Sequence, residues 1–194
     1  LFDKHTTHIA AADKAGNWVA ITTTVNTDFG SKVAVPGTGV FLNNQMDDFS
    51  AQPGVANAYG LVGSEANSIA PGKRPLSSMS PTLLLKDGEP VLTLGAAGGP
   101  TIITQVVQTL INNQLLGMPL AEALAAPRIH QQWRPNALFV ESTLPDEVRT
   151  QLQSFGHTLK PLGPYGSTQA IGLDERGEFV AVSEPRLIER NRID

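Results

Sequence analysis

The stretch SPTLLLKDGEPVLTLGAAGGPTIITQVVQTLINNQLLG, residues 80–117, constrains the fold more than any other part of the chain. Asp87-Gly88 lies between two apolar runs and predicts a tight hairpin turn. The second run enters Gly95-Ala96-Ala97-Gly98-Gly99-Pro100. After it Ile103, Val106, Val107, Leu110, Ile111 and Leu115 recur at helical spacing. Pro100 suits a first helical turn, where its missing N–H costs nothing, and Gly117 suits a helix end. The pattern asks for antiparallel sheet with a helix packed on it.

The rest of the chain agrees with that design. HIAAAD, the turn Lys14-Ala15-Gly16-Asn17 and the β-branched run WVAITTTVN predict another hairpin. GVFLNN at 39–44 reads as a short apolar strand, and residues 47–80 as mostly loop. A loop that long in a compact domain is usually functional or mobile. PLAEALAAP at 119–127 predicts a short helix and ALFVE at 137–141 a strand. Pro145 to Phe155 reads as a helix with Asp146 and Glu147 in its first turn, and Gly156 follows it. QAIGLDERGEFVAVSEPR predicts a last hairpin about Arg176-Gly177. Strands come first, two or three helices sit in the middle, and strands return. This is not a βαβ alternation; the class expected is α+β, a layered sandwich.

Composition narrows the chemistry. The 194 residues suffice for one domain with a real core, and 41% hydrophobic against 16% charged fits a folded chain. The net charge is −4 with no basic run, so nucleic acid and anionic membranes are not expected partners. No apolar run is long enough to span a bilayer. Leu1 is followed at once by Asp3, Lys4 and His5, so no signal peptide is read here. A start at Leu points to a chain processed or cut from something longer. Cysteine is absent, which leaves covalent catalysis to Ser, Thr, Lys or a carboxylate. The histidines at 5, 8, 130 and 157 lack metal-ligand spacing, and no metal or cofactor is expected.

Several clusters could carry chemistry, each with a plainer alternative. Thr6 and Thr7 lie between His5 and His8 and read either as ordinary strand residues or as a nucleophile. A threonine hydroxyl becomes a nucleophile when its own α-amine is the base, which would require cutting the His5–Thr6 bond. Thr22, Thr24 and Asn26 share one face of a strand, as a solvated ladder or as the lining of a site. Asn43-Asn44-Gln45-Met46-Asp47-Asp48-Phe49 could be a capped turn or could hold an ammonium group. Ser77 and Ser78 could bind a carboxylate or simply belong to a Ser-rich loop. Adjacent Gly98 and Gly99 at a helix start would let backbone N–H groups form an oxyanion hole. No Gly-Lys-Ser/Thr follows them and the dinucleotide spacing is absent, which argues against nucleotides.

Taken in order, HTTH, TxN, NNQMDDFS, KRPLSSMSPT, GG before a helix and APRxHxQW resemble the small, catalytic subunit of a γ-glutamyltranspeptidase. The resemblance runs from Thr6 to the EPR near the end. It implies an αββα four-layer sandwich of the N-terminal-nucleophile hydrolase type, of which this chain supplies the small-subunit half. It implies a precursor that cuts itself at His5–Thr6. Residues 1–5 would then be a linker remnant on a chain not yet cut, and 6–194 the small-subunit catalytic domain. Thr6 would be the nucleophile, with Thr24 bonded to its hydroxyl. Asn26, Gln45 and Asp48 would hold the donor's α-amino group, and Ser77 and Ser78 its α-carboxylate. Gly98 and Gly99 would supply the oxyanion N–H pair, and Tyr59 would be a lid residue. The partners implied are a γ-glutamyl substrate such as glutathione and a large subunit of the same precursor, which adds an arginine to the donor carboxylate. The location implied is periplasmic or secreted. Pro100 stands where Ser or Thr is more usual in the family. An acylase of glutaryl or cephalosporin side chains on the same fold, or an uncut non-catalytic binding domain, are the alternatives.

Overall fold

A computed structural model describes residues 6–163 and 166–190. The first hairpin forms as the sequence predicts: β1 (Thr6–Ala12) pairs antiparallel with β2 (Trp18–Thr24). The Asp13 carboxylate ties the turn by accepting the N–H of Ala15 and of Asn17 at 2.9 and 3.0 Å. The register sets Thr6 opposite Thr24 and His8 opposite Thr22. Because strand side chains alternate, Thr6, His8, Thr22 and Thr24 share the covered face. Thr7, Ile9, Ala11, Val19, Ile21 and Thr23 share an exposed one.

The expected hairpin about Asp87-Gly88 is β3 (Thr82–Lys86) and β4 (Glu89–Gly95). Both turn residues have positive φ, 54° and 89°, which is the usual demand of a two-residue hairpin loop. These strands join β8 (Gln169–Leu173) and β9 (Phe179–Ser183) in an antiparallel sheet of order β3-β4-β8-β9. Leu92 through Gly95 are buried one after another, because the sheet is covered on both sides there. On one side Leu92, Leu94 and Ala170 pack with Ile102 and Val106 of α1 (Thr101–Leu110) and Leu120 and Leu124 of α2 (Leu120–Ala125). Burying each large aliphatic side chain there is worth about 1.5–3 kcal/mol. On the other side lies β1–β2: the Thr93 hydroxyl donates to Val19 O at 2.8 Å, and the His8 ring lies over Gly95. A Cβ on Gly95 would fall 2.3 Å from the imidazole, so this layer contact needs glycine.

Three expectations are corrected. No strand forms at 39–44; a single bridge joins Ala34 to Phe41, and Val40, Phe41 and Leu42 are exposed. Gly37 and Gly39, both with positive φ, break the extended run. The helix after Pro100 ends at Leu110, and Ile111–Leu115 winds as a π-helical turn before Gly117 at φ 69°. A local βαβ unit is present too: β6 (Leu138–Glu141), α3 (Asp146–Ser154) and β7 (Leu159–Leu162), with β6 and β7 parallel and β5 (Ile129–His130) antiparallel to β6. β7 reads LKPL, too short and too interrupted by Pro161 to give a periodic signal. A short α4 (Pro185–Arg190) follows β9. Residues 45–80 hold two short 3-10 turns, Gln45–Asp48 and Glu65–Asn67, and are otherwise irregular, as the loop reading expects.

Candidate active site

The site begins with the β1–β2 register. Thr6 and Thr24 are cross-strand partners on the covered face, and the Thr6 hydroxyl donates to Thr24 Oγ1 at 2.9 Å. Thr24 Oγ1 also accepts the Asn26 N–H at 2.9 Å. Asn26, at φ 78°, turns the chain out of β2, and its side-chain amide donates to Asn44 O at 3.1 Å. That bond brings the 3-10 turn Gln45–Asp48 beside the two hydroxyls.

The turn supplies negative charge that no ion pair among the described residues neutralises. Gln45 Nε2 donates to Asp48 Oδ2 at 3.2 Å, while Gln45 Oε1 is buried and has no hydrogen-bond partner among the described residues. Burial pushes the Asp48 carboxyl up to about 6; the charge of Asp47 adds to this, and the Gln45 bond opposes it. A carboxylate with a single amide donor, beside a carbonyl oxygen that has none among the described residues, fits a cation with several N–H groups, which is an ammonium.

Tyr59 closes another side. An Asx turn built on Asn57 Oδ1, which accepts the N–H of Tyr59 and of Leu61 at 3.0 Å each, presents it. Its hydroxyl donates to Asn26 O at 2.5 Å. Its ring lies on Gly99, where a Cβ would come within 2.9 Å. Burial raises the Tyr59 phenol above its ordinary range, and Asp48 and Asp47 add to that.

One pocket joins the predicted residues: Thr6, Thr24, Asn26, Gln45, Asp48, Tyr59, Ser77, Ser78 and Gly99 all line it. Gly98 does not line it; it is buried, at φ 137°, and its carbonyl accepts from Thr101 N–H and hydroxyl at 3.2 and 2.8 Å. His5 lies outside the described residues. Sequence reading gave His8 no role, yet it is buried, bonded through Nδ1 to Thr22 Oγ1 at 2.8 Å and depressed in basicity by burial. Its alternation with Thr6 was the available signal. Among the described residues no cluster of three His, Cys, Asp or Glu could hold a metal, and no helix is long and apolar enough to cross a membrane.

The fold is an α+β one in which a β-hairpin and a four-stranded antiparallel sheet pack together and set a paired threonine hydroxyl in one pocket with a carboxylate. Comparison with known proteins gives the particular lineage. The Gamma-glutamyltranspeptidase family model matches residues 2–191, and the chain belongs to that family. The glutathione hydrolase proenzyme of Escherichia coli K12 is 47% identical over 184 residues, 95% of this chain and 32% of its own length. That of Pseudomonas aeruginosa is 46% identical over 185 residues, 93% of this chain and 33% of its own. The chain thus spans about a third of the curated relatives it matches. A crystal structure of a Helicobacter pylori gamma-glutamyltranspeptidase mutant superposes with a TM-score of 0.87 at 43% identity, covering 93% of this chain and 99% of that one. A cephalosporin acylase from Bacillus halodurans superposes at 0.79 with 30% identity, covering 92% of this chain and 32% of that one.

Proposed function

We propose that the protein transfers γ-glutamyl groups, from glutathione or other γ-glutamyl amides, to water or to an acceptor amine. The observation that carries this reading is the unneutralised pair Asp48 and Gln45 Oε1, a short span from the Thr6–Thr24 hydroxyls in one pocket. A donor that is an amino acid at one end and an amide at the other fits that polarity. A glutaryl donor, without an ammonium, would bring Asp48 no cation.

The steps follow from the chain's own groups. Cutting His5–Thr6 frees the Thr6 amine, which takes the proton of its own hydroxyl. Thr6 Oγ1 attacks the γ-carbonyl while Thr24 holds the hydroxyl in line. The N–H of Gly99, which lines the pocket at the start of α1, receives the oxyanion, and the N–H of Gly98, which the described pocket does not reach, joins it once substrate is bound. The amine leaves with the proton, and a γ-glutamyl ester remains on Thr6 until water or an amine breaks it. Asp48, Gln45 and Asn26 hold the ammonium, and Ser77 and Ser78 the α-carboxylate. Glycine at 98 and 99 is supported by φ values of 137° and 55°, which other residues adopt under strain.

The reading includes a partner and a place. A large subunit of the same precursor completes an αββα sandwich. Support comes from relatives named proenzymes, from the third of their length matched here, and from the exposed apolar face Ile9, Val19 and Ile21 of β1–β2. Residues 1–5 are the linker remnant, residues 6–194 the catalytic domain, and the location periplasmic or secreted. Thr6→Ala in the full-length precursor tests the core of the proposal. Mass spectrometry should find no cut at His5–Thr6, and turnover of a γ-glutamyl anilide should vanish; cleavage that survives the substitution sinks self-processing.

A further inference from the structure

The APRxHxQW stretch carries the resemblance to the family but has no part in the chemistry above. Its polar side chains are nonetheless organised. His130 is 2% exposed, and its ring bonds Thr104 Oγ1 of α1 through Nδ1 at 3.0 Å and Gln132 Oε1 through Nε2 at 2.9 Å. Gln132 Nε2 then donates to Tyr59 O and to Arg134 O, each at 3.2 Å. Both oxygens facing Nε2 are carbonyls, so that end of the amide must donate. The other end must therefore accept, which places a proton on His130 Nε2. Every polar atom of the Gln132 amide is thereby committed.

The turn these groups reach is held from two sides. Internally it is tied by Asn57, as described. Outwardly, Asn57 Nδ2 donates to Asp47 O at 3.3 Å, Ala58 N–H to Asp47 Oδ2 at 3.0 Å and the Tyr59 hydroxyl to Asn26 O at 2.5 Å, and Tyr59 O accepts from Gln132. The first three anchors lie on the side of β2 and the 3-10 turn. Gln132 comes from the other side, beside α1, whose preceding Gly99 the Tyr59 ring covers. Moving the backbone of the Tyr59 turn away from Gly99 must break the Gln132 bond or drag His130 with it.

We propose that Gln132, oriented by His130, is a positioning residue that latches the Tyr59 turn over the site and so sets how readily the donor pocket opens. The structural half stands on this geometry alone; the kinetic half rests on the γ-glutamyl reading. Gln132→Met keeps length and removes the amide. Gln132→Glu keeps the acceptor toward His130 but cannot donate to Tyr59 O. Both should speed chymotryptic cleavage after Tyr59 in the native protein about fivefold, the worth of one neutral hydrogen bond. Both should raise KM for a γ-glutamyl anilide about fivefold with kcat within about twofold, and neither should add to the KM of Tyr59→Ala. His130→Gln, which retains an amide donor toward Gln132, should stay near the parent, whereas His130→Leu should match the Gln132 variants. Unchanged cleavage in both Gln132 variants overturns the latch, as does an equal KM penalty in the Tyr59→Ala background. If the parent turns over no γ-glutamyl amide, the activity reading fails, and the cleavage rates still decide the latch.

Discussion

Asp48 and Glu184 are both carboxylates drawn out of water, and their surroundings differ in sign. Glu184 is fully buried, yet Arg128 Nη1 lies 2.7 Å from its Oε2 and Arg186 Nη1 2.8 Å from its Oε1. Arg186 also grips Glu141 with Nε and Nη2 at 2.7 and 2.6 Å. Two cations meet two anions. Burial alone would raise the Glu184 carboxyl, but Arg128 and Arg186 outweigh it and hold the group below its usual range. Asp48 meets an amide, a second carboxylate nearby and, among the described residues, no comparable cation, and its carboxyl rises to about 6. The first arrangement is closed and joins β6, α2 and the end of β9. The second faces a pocket, and on the proposed reading a donor's ammonium closes its charge balance. That contrast supports the proposed role of Asp48 without reference to any relative.

The sharpest way to break the comparison is to open the closed cluster. Arg128→Met should leave part of the Glu184 charge unmatched in the interior and cost about 3–5 kcal/mol of stability. Thermal or denaturant unfolding measures it, and a loss under about 1 kcal/mol would mean that Glu184 is not charge-balanced as described. Emptying the open site should act on turnover instead. Asp48→Ala should lower kcat/KM for γ-glutamyl amides about a hundredfold or more, the usual loss when one partner of a buried charge pair is removed. Des-amino glutaryl amides should lose far less. Equal losses on the two substrates would remove the ammonium from the reading and favour the acylase alternative.

How much of this could be read beforehand depended on whether local or distant contacts decide a residue's place. The hairpins about Asp87-Gly88 and Arg176-Gly177, and the helix after Pro100, follow from turn chemistry and periodicity. The Thr6–Thr24 pairing follows from a hairpin register. The strand expected at 39–44 failed because a strand needs a neighbour as well as apolar residues, and only one bridge offers itself there. β7 was missed because its partner β6 lies across a helix and the run is four residues long. Ser77 and Ser78 sit in a loop without period, so the residues alone leave a carboxylate site and a Ser-rich loop both open, and only the family resemblance chooses between them. The Arg128, Glu141, Glu184 and Arg186 cluster is closed by bonds such as Arg128–Glu184, 56 residues apart in sequence, and no local pattern marks it. Gln132 was legible as part of a motif and illegible as a bond, since its partner Tyr59 is 73 residues away.

The smallest expected effect concerns Asp48 without any substrate. Its carboxyl is raised from an ordinary 3.8 to about 6 in the folded chain, so the folded state binds its proton more tightly than the unfolded state does. Such a group favours folding fully below about pH 3.8, and that contribution is lost as pH rises through about 6. Asp48→Asn removes the charge and keeps the shape. It should therefore stabilise the protein at pH 7–8 relative to the parent, by up to about 1 kcal/mol, since water still screens part of the group. The advantage should disappear near pH 4, where the parent's Asp48 is largely protonated in the folded chain. For Arg128→Met the logic runs the other way. Glu184 has its carboxyl lowered by its partners, so the stability they lend is present above the ordinary carboxylate range and fades in acid. The penalty of that substitution should shrink as pH falls through the depressed range. Unfolding curves of the two variants against pH should therefore diverge from the parent in opposite directions at neutrality. Two curves shifted in the same direction would mean that the open and closed carboxylates are not the opposites their neighbours make them.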